Sequence, residues 1–171
     1  METALIDEGQ KKLIRLKVIR PIYETLIAEG DEVDMKEPIM SSKKVYEMFR
    51  FLTAETREHF IALHLNTKNQ ILAIDRVSIG SLSANVVHPR DVLKSCLLSS
   101  AAAIVCIHNH PSGNPEPSKE DYKMTDQLNK AAGMMGIRFL DHVIIGDGSY
   151  VSFADRGDID EVNRLTSIIH A

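Results

Sequence analysis

The sequence has few of the residues that mark several large classes of protein. Its 171 residues include no tryptophan, 5% aromatic residues and two cysteines. Cys96 and Cys106 form neither a CxxC pair nor a disulfide framework, which argues against a cysteine-rich zinc ribbon and favours a reducing compartment. We expect both thiols to be buried among apolar residues.

Long apolar runs are also missing. The longest, around residues 101–107, is far shorter than the about 20 residues that a membrane span needs. Residues 1–10 lack the apolar core of a signal peptide. We therefore expect a soluble, cytoplasmic protein with no membrane partner.

The chain lacks an excess of positive charge. Twenty basic and 24 acidic residues give a formal net charge of −4, so no global positive field attracts nucleic acid or anionic lipid. The composition, 44% hydrophobic and 26% charged, is nevertheless that of a folded chain. At this length one core can bury roughly 70% of the unfolded surface.

The first 40 residues differ in charge pattern from the rest. Residues 11–20 hold five basic residues and no acid, whereas residues 21–40 hold six acids and one lysine. Apolar and basic residues alternate over 13–20, which predicts a half-buried strand whose basic face is either solvated or in contact with a partner. We predict an accessory segment, residues 1–40, that pairs with the sheet or with a second subunit in a homo-oligomer. The main domain is predicted to be residues 41–171.

This main domain mixes helical and strand patterns. Hydroxyl residues at 41 and 42 precede an amphipathic helix, Pro89 is placed to begin another, and a continuous apolar run predicts a strand buried on both faces. The later predicted elements are strands 59–65 and 71–74, helix 89–100, strand 103–107, helix 118–134, and strands 137–145 and 149–153. The fold class is therefore α/β, with a mixed central sheet flanked by helices.

One segment, residues 108–121, carries a chemical pattern. It begins where a buried strand ends and finishes in the first turn of a helix. His108 and His110 point to the same side of an extended chain, and Asp121 can reach them if the loop folds back. Two imidazoles and one carboxylate leave a fourth tetrahedral position for water, which is the pattern of a catalytic zinc site.

Other interpretations of these residues stay open. Histidines at strand ends are often polar termini, and Ser118 with Asp121 fits a helix cap. A cap does not explain two histidines that leave a buried strand ahead of a proline-rich loop, so we favour the metal site. Cys106 would share the face of His108, which leaves a Cys-His-His set as an alternative.

The pattern resembles a known family. The spacing His108-x-His110-x7-Ser118-x2-Asp121, with a glutamate about fifty residues upstream, resembles the JAMM signature of the JAB/MPN metalloproteases. The letters His-Asn-His-Pro-Ser-Gly are similar to those of the RadC branch of that family. The similarity covers roughly residues 41–157 and includes residues 87–91, 140–146 and 150–157.

The resemblance implies a cytidine-deaminase-like α/β fold in which His108, His110 and Asp121 bind zinc. The implied activity is hydrolysis of a peptide or isopeptide bond in a peptide or protein substrate.

Two further roles are implied by the same resemblance. Ser118 would help to stabilise an oxyanion. A glutamate at the start of a strand would be the general base; Glu58 matches that position, with Glu55 as the alternative. His142 lies in a family-like stretch, either as a hydrogen-bonded histidine of a strand or in contact with the site. His88 is more simply explained at the start of a helix.

Several other functions fit the sequence less well. A zinc nucleobase deaminase needs H-x-E with P-C-x-x-C, and the sequence has neither. The adjacent letters His-Asn-His do not make a nuclease, whose motif spreads over a much longer segment. RadC-type chains commonly carry a helix-hairpin-helix-like region first, for which residues 1–40 are too short and too strand-like. The remaining alternatives are a non-catalytic metal-binding interaction module and a DNA-associated, repair-related protein.

Overall fold

The computed structural model describes residues 37–80 and 87–159. The predicted strand over 13–20, and with it most of the accessory segment, lies outside these residues. The division at residue 40 therefore stays a prediction.

The described residues form the α/β arrangement that the sequence predicts. Three α-helices, one 3-10 helix and five strands follow in the order α1 (Ser42–Phe49), the 3-10 helix (Arg50–Ala54), β1 (Glu58–Leu65), β2 (Ile71–Gly80), α2 (Pro89–Leu98), β3 (Ala103–Asn109), α3 (Lys119–Met134), β4 (Arg138–Ile145) and β5 (Tyr150–Ser152). No helix in these two ranges is long and apolar enough to cross a membrane.

Two strands extend beyond their predicted ends. β2 continues to Gly80, because its later residues remain paired with β1 although charged and polar side chains interrupt the apolar pattern. β3 continues to Asn109, which places His108 inside the strand rather than in the following loop. The prediction from sequence placed the end of each strand where its apolar run ends.

A single mixed sheet organises the domain, with strand order β2-β1-β3-β4-β5. β3 runs parallel to β4 through the α3 crossover, and the other neighbours are antiparallel. Because β1 is antiparallel to β3, the first residues of β1 lie beside the last residues of β3, with Phe60 opposite His108. The topology therefore brings the start of one strand to the carboxyl end of another.

Each face of the sheet has its own core. Ile104 and Cys106 of β3 pack in a cluster with residues of α2 and α3. Val105 and Ile107, which point the other way, pack in a second cluster with residues of α1 and the 3-10 helix. β3 is buried along its whole length because both faces are covered, as its continuous apolar run predicts.

Candidate metal centre

The two histidines and the aspartate singled out in the sequence meet at the carboxyl end of β3. His108 lies near the end of the strand and is fully buried, His110 follows it, and Asp121 is buried in the first turn of α3. The backbone N–H of His110 donates to the carbonyl of Ile145 at 2.9 Å. This bond holds the start of the loop to the end of β4.

The ligand atoms of these three residues are close together. His108 Nε2 lies 2.9 Å from His110 Nε2 and 3.3 Å from Asp121 Oδ1, and His110 Nε2 lies 3.5 Å from Asp121 Oδ2. Two ligands on one tetrahedral zinc stand about 3.3 Å apart, from bond lengths of about 2.0 Å. Among the described residues, this is the group of histidine, cysteine and acidic side chains that can hold a metal ion.

Asp121 is both a helix cap and a member of the cluster. Its Oδ2 accepts hydrogen bonds from the backbone N–H (2.7 Å) and the hydroxyl (2.6 Å) of Ser118, which together with the bond from Asp121 N to Ser118 Oγ forms a capping box. The second oxygen, Oδ1, faces His108. The two interpretations left open by the sequence are therefore compatible, because each uses a different oxygen.

The hydrogen bond of His110 shows which of its ring nitrogens is available to a metal ion. Its Nδ1 lies 2.8 Å from the backbone carbonyl of Asn114. A carbonyl oxygen only accepts, so Nδ1 carries the hydrogen and donates it. In the neutral ring, Nε2 then has a lone pair directed at His108 and Asp121, which is the usual arrangement of a metal-bound histidine.

The electrostatics favour a cation at the cluster. Asp121 raises the pKa of His110 above its ordinary value, against the effect of burial, because the protonated ring can donate Nε2–H to this carboxylate. Burial lowers the pKa of His108, although Asp121 acts in the opposite sense. Burial alone would raise the pKa of Asp121, but the neighbouring imidazoles of His108 and His110 and the hydrogen bonds from Ser118 outweigh it and hold the pKa well below its usual range. An ionised carboxylate beside two imidazoles fits a divalent metal ion.

Glu58 and Glu55 lie in different surroundings. Glu58 begins β1, two residues before Phe60, and so faces the same side of the sheet as His108. After the larger effects of burial and Asp121, the Glu58 carboxylate is a further charge that raises the pKa of both histidines. The carboxylate of Glu55 instead lies 3.4 Å from Nε2 of His59.

Asn109, the middle residue of the His-Asn-His segment, holds the backbone around Glu58. Its side-chain oxygen accepts from the N–H of His59 (2.8 Å), and its amide donates to the carbonyl of Arg57 (3.1 Å). These two bonds bracket Glu58 at the edge of the sheet. The sequence pattern assigns no role to Asn109, because the partners lie fifty residues away and are backbone groups.

Ser118 uses its hydroxyl within the helix cap. The oxygen accepts from the backbone N–H of Asp121, and the hydrogen is donated to Asp121 Oδ2. An oxyanion role therefore requires this hydrogen to turn away from the carboxylate. That role stays a prediction.

Cys106 lies outside the cluster of ligand atoms. Its side chain is fully buried, and burial, with smaller effects of Cys96 and Asp141, raises the pKa of its thiol. A protonated thiol in an apolar core is a poor metal ligand. The Cys-His-His alternative therefore finds no support in the geometry.

Four further histidines lie in the described residues, and His59, His64 and His88 have no contact with the three proposed ligands. His59 and His64 lie on opposite faces of β1, because an odd number of positions separates them in the strand. His64 Nδ1 is 2.9 Å from Ser99 Oγ. His88 precedes α2 as its N-cap residue. His142 is the exception, because its Nε2 lies 2.8 Å from Nδ1 of His108.

The chain matches a known family over most of its length. The family model of the RadC-like JAB domain matches residues 39–158. A UPF0758 protein of Methanosarcina acetivorans is 52% identical over 143 residues, covering 81% of this chain and 62% of that protein. A UPF0758 protein of Shouchella clausii is 41% identical over 155 residues, covering 91% and 61%. The chain thus spans about three fifths of the length of these relatives.

The sheet is mixed, its central strand ends in a His-x-His pair, and an aspartate lies at the start of the next helix. Together these features define a JAB/MPN-like domain. Within that class, the chain belongs to the RadC-like JAB domain family. The resemblance seen in the sequence is therefore confirmed at the level of the family and the fold.

Proposed function

We propose that this domain is a zinc-dependent hydrolase of peptide or isopeptide bonds. The observation that carries the proposal is the convergence of two imidazole nitrogens and one carboxylate on the edge of the sheet where Glu58 begins β1. Three protein ligands leave one tetrahedral position for water, as catalytic zinc sites do.

His108, His110 and Asp121 would hold the metal through Nε2, Nε2 and Oδ1. When bound there, zinc supplies a water whose pKa is lowered towards about 7 and a Lewis acid for the scissile carbonyl. Burial of His108 and Asp121 keeps this side of the site dry, which strengthens each electrostatic interaction.

Glu58 is the proposed general base. It would take the proton of the attacking water and deliver it to the nitrogen of the leaving amine, so that one water is consumed and one amide bond is broken. Ser118 would donate its hydroxyl hydrogen to the oxygen of the tetrahedral intermediate. One such donor contributes roughly 10² to 10³ in rate.

The proposed partner is a peptide or protein substrate. The net charge of −4 gives no support to a nucleic-acid substrate, and free buried thiols at Cys96 and Cys106 are consistent with a reducing cytoplasm. A homo-oligomer remains part of the proposal.

The test is a screen of the purified, zinc-loaded chain against peptide, isopeptide-linked and DNA substrates, with Glu58→Gln and Glu55→Gln as a matched pair. Glu58→Gln preserves the shape of the side chain but removes its basicity. We expect it to retain zinc while turnover falls by roughly 10² to 10⁴. Glu55→Gln should keep both zinc and turnover.

Four results would contradict this account. If Glu55→Gln is the inactive variant, the base is misassigned. Full activity in both variants would exclude the proposed mechanism. Stoichiometric zinc without cleavage of any substrate class would favour the non-catalytic interaction module, and cleavage of DNA alone would favour a nuclease.

A further inference from the structure

A buried chain of hydrogen bonds leads away from His108, on the side opposite to the cluster. His108 Nδ1 lies 2.8 Å from His142 Nε2, and His142 Nδ1 lies 2.7 Å from Thr125 Oγ1. Thr125 Oγ1 in turn lies 2.7 Å from the backbone carbonyl oxygen of Asp121. The chain thus starts at one proposed ligand and ends at the backbone of another.

The direction of this chain follows from counting hydrogens. A hydroxyl has one hydrogen, and the carbonyl of Asp121 can only accept, so Thr125 donates its hydrogen there. Thr125 Oγ1 must then accept from Nδ1–H of His142. A neutral ring has one N–H, so His142 Nε2 is left as an acceptor and receives Nδ1–H of His108. The Nε2 of His108 therefore has a lone pair towards His110 and Asp121.

The opposite direction would put a hydrogen on the ligand atom. Thr125 would donate to His142 Nδ1, His142 Nε2–H would donate to His108 Nδ1, and His108 Nε2 would be protonated. That arrangement leaves Thr125 Oγ1 and the Asp121 carbonyl oxygen 2.7 Å apart with no hydrogen between them. The first direction has a comparable contact, since it leaves the Nε2 lone pairs of His108 and His110 2.9 Å apart. A metal ion between these two nitrogens removes that repulsion but cannot remove the one between Thr125 and Asp121, so the first direction is favoured when a metal is bound.

Packing keeps the middle ring of the chain in place. His142 is fully buried and stacks on Phe153, with ring centroids 5.1 Å apart and an interplanar angle of 14°. Its ring also meets Phe60 edge-on at 5.6 Å, and Phe60 stacks on His108. A buried ring without a carboxylate partner stays neutral, since a lone charge there would be costly.

We propose that Thr125 and His142 are positioning residues that fix the tautomer of His108 and so present its Nε2 lone pair to the metal. The expected effect on metal binding rests on the proposed function. The positions of Thr125 and His142 in the chain rest on the hydrogen-bond distances. It adds two residues to the site, one from the middle of α3 and one from β4.

The test combines two measurements on the full chain. In the zinc-loaded protein, long-range ¹H–¹⁵N correlation spectra of the imidazoles report the tautomers directly. We expect Nδ1–H in both His108 and His142. Zinc affinity is then measured by competition with a chromophoric chelator in wild type, Thr125→Val and Thr125→Ser.

Thr125→Val keeps the shape of the side chain and removes the hydroxyl, so we expect zinc affinity to fall by about 10- to 100-fold. Thr125→Ser restores the hydroxyl and should bind zinc within about threefold of wild type, which a purely steric role would not predict. His142→Gln, which keeps an acceptor near the position of Nε2, should bind more tightly than His142→Phe.

Nε2–H in His142 of the zinc-loaded protein would overturn the proposed direction of the chain. Equal zinc affinity in Thr125→Val and wild type would overturn the positioning role. Failure of wild type itself to bind zinc would contradict the proposed function and the positioning role together, whereas the two preceding results would overturn the positioning role alone.

Discussion

Asp141 is a buried carboxyl group that the proposed chemistry does not use. It accepts hydrogen bonds from the Ser152 hydroxyl and from the backbone N–H groups of His142 and Ala154. These bonds attach β4 to β5 and to the turn that follows. Burial nevertheless raises the pKa of Asp141 to about 6.

This raised pKa predicts a pH dependence of stability. Between about pH 4 and pH 6 this carboxyl group is ionised in the unfolded chain but still largely protonated in the folded one. The unfolded state therefore binds fewer protons, and the free energy of unfolding falls as pH rises. The full difference corresponds to at most about 3 kcal/mol.

Asp141→Asn removes this contribution. We expect its stability relative to wild type to increase as pH rises from about 4 to 7, measured by urea unfolding in the presence of a chelator. Asp158→Asn, which changes an exposed carboxylate, should show no comparable change. A difference between Asp141→Asn and wild type that is constant across this range would contradict the raised pKa.

At the scale of elements, the loop from β3 to α3 decides how the ligands meet. Besides the bond of His110 to β4, the N–H of Asp147 donates to the carbonyl of Gly113 at 2.8 Å. Farther along, Arg156 makes two hydrogen bonds to the exposed Glu116, at 2.9 and 2.8 Å. The loop is thus held against the turn after β4 and the turn after β5.

Gly146 allows the close approach of this loop. A Cβ at this position would lie 2.5 Å from both the carbonyl oxygen of Gly113 and Cδ of Pro115. We expect Gly146→Ala to displace the loop and to weaken zinc binding by about tenfold or more. Competition with a chelator measures this loss.

Gly136→Ala is the matched control. Gly136 has a positive φ of 70°, and apart from its chain neighbours no described residue has an atom within 4 Å of the position that a Cβ would take there. Alanine at this position costs roughly 1–2 kcal/mol of stability, at the far end of β4 from the ligands. Zinc affinity should be unchanged. Equal loss of zinc affinity in both variants would show that lower stability, rather than the position of the loop, is responsible.

The elements themselves were largely predictable from sequence, and the reason is physical. The apolar run of β3 and the hydroxyl cap of α1 are local signals, and the structure confirms both: Ser41 accepts from the N–H of Lys44, and β3 is fully buried. The spacing of His108, His110 and Asp121 was also readable, because strand geometry and a family motif coincide there.

The supporting contacts were not predictable in the same way. His142 reaches His108 because β4 pairs in parallel with β3, a register that no local pattern in either segment specifies. Thr125 joins them because it lies one helical turn after Asp121 on α3. Asn109 acts on backbone groups, which have no sequence signature. Such contacts depend on the packing of distant elements.

On the scale of the whole molecule, a metal ion would connect the central strand of the sheet to a helix that covers one of its faces. The proposed ligands come from the end of β3, the following loop and the start of α3. A ligand that binds only the folded state stabilises it by mass action, by about 2.7 kcal/mol at a free concentration 100 times its Kd. The family match over residues 39–158 contains all three residues.

The most direct test of the central claim is the zinc stoichiometry and affinity of wild type and Asp121→Ala, with thermal unfolding followed before and after chelation. The account predicts one zinc per wild-type chain and a lower melting temperature after chelation. Asp121→Ala should lose both the bound zinc and the shift. Unchanged zinc affinity in Asp121→Ala, with loss of zinc in Cys106→Ala, would show that the ligand set is wrong.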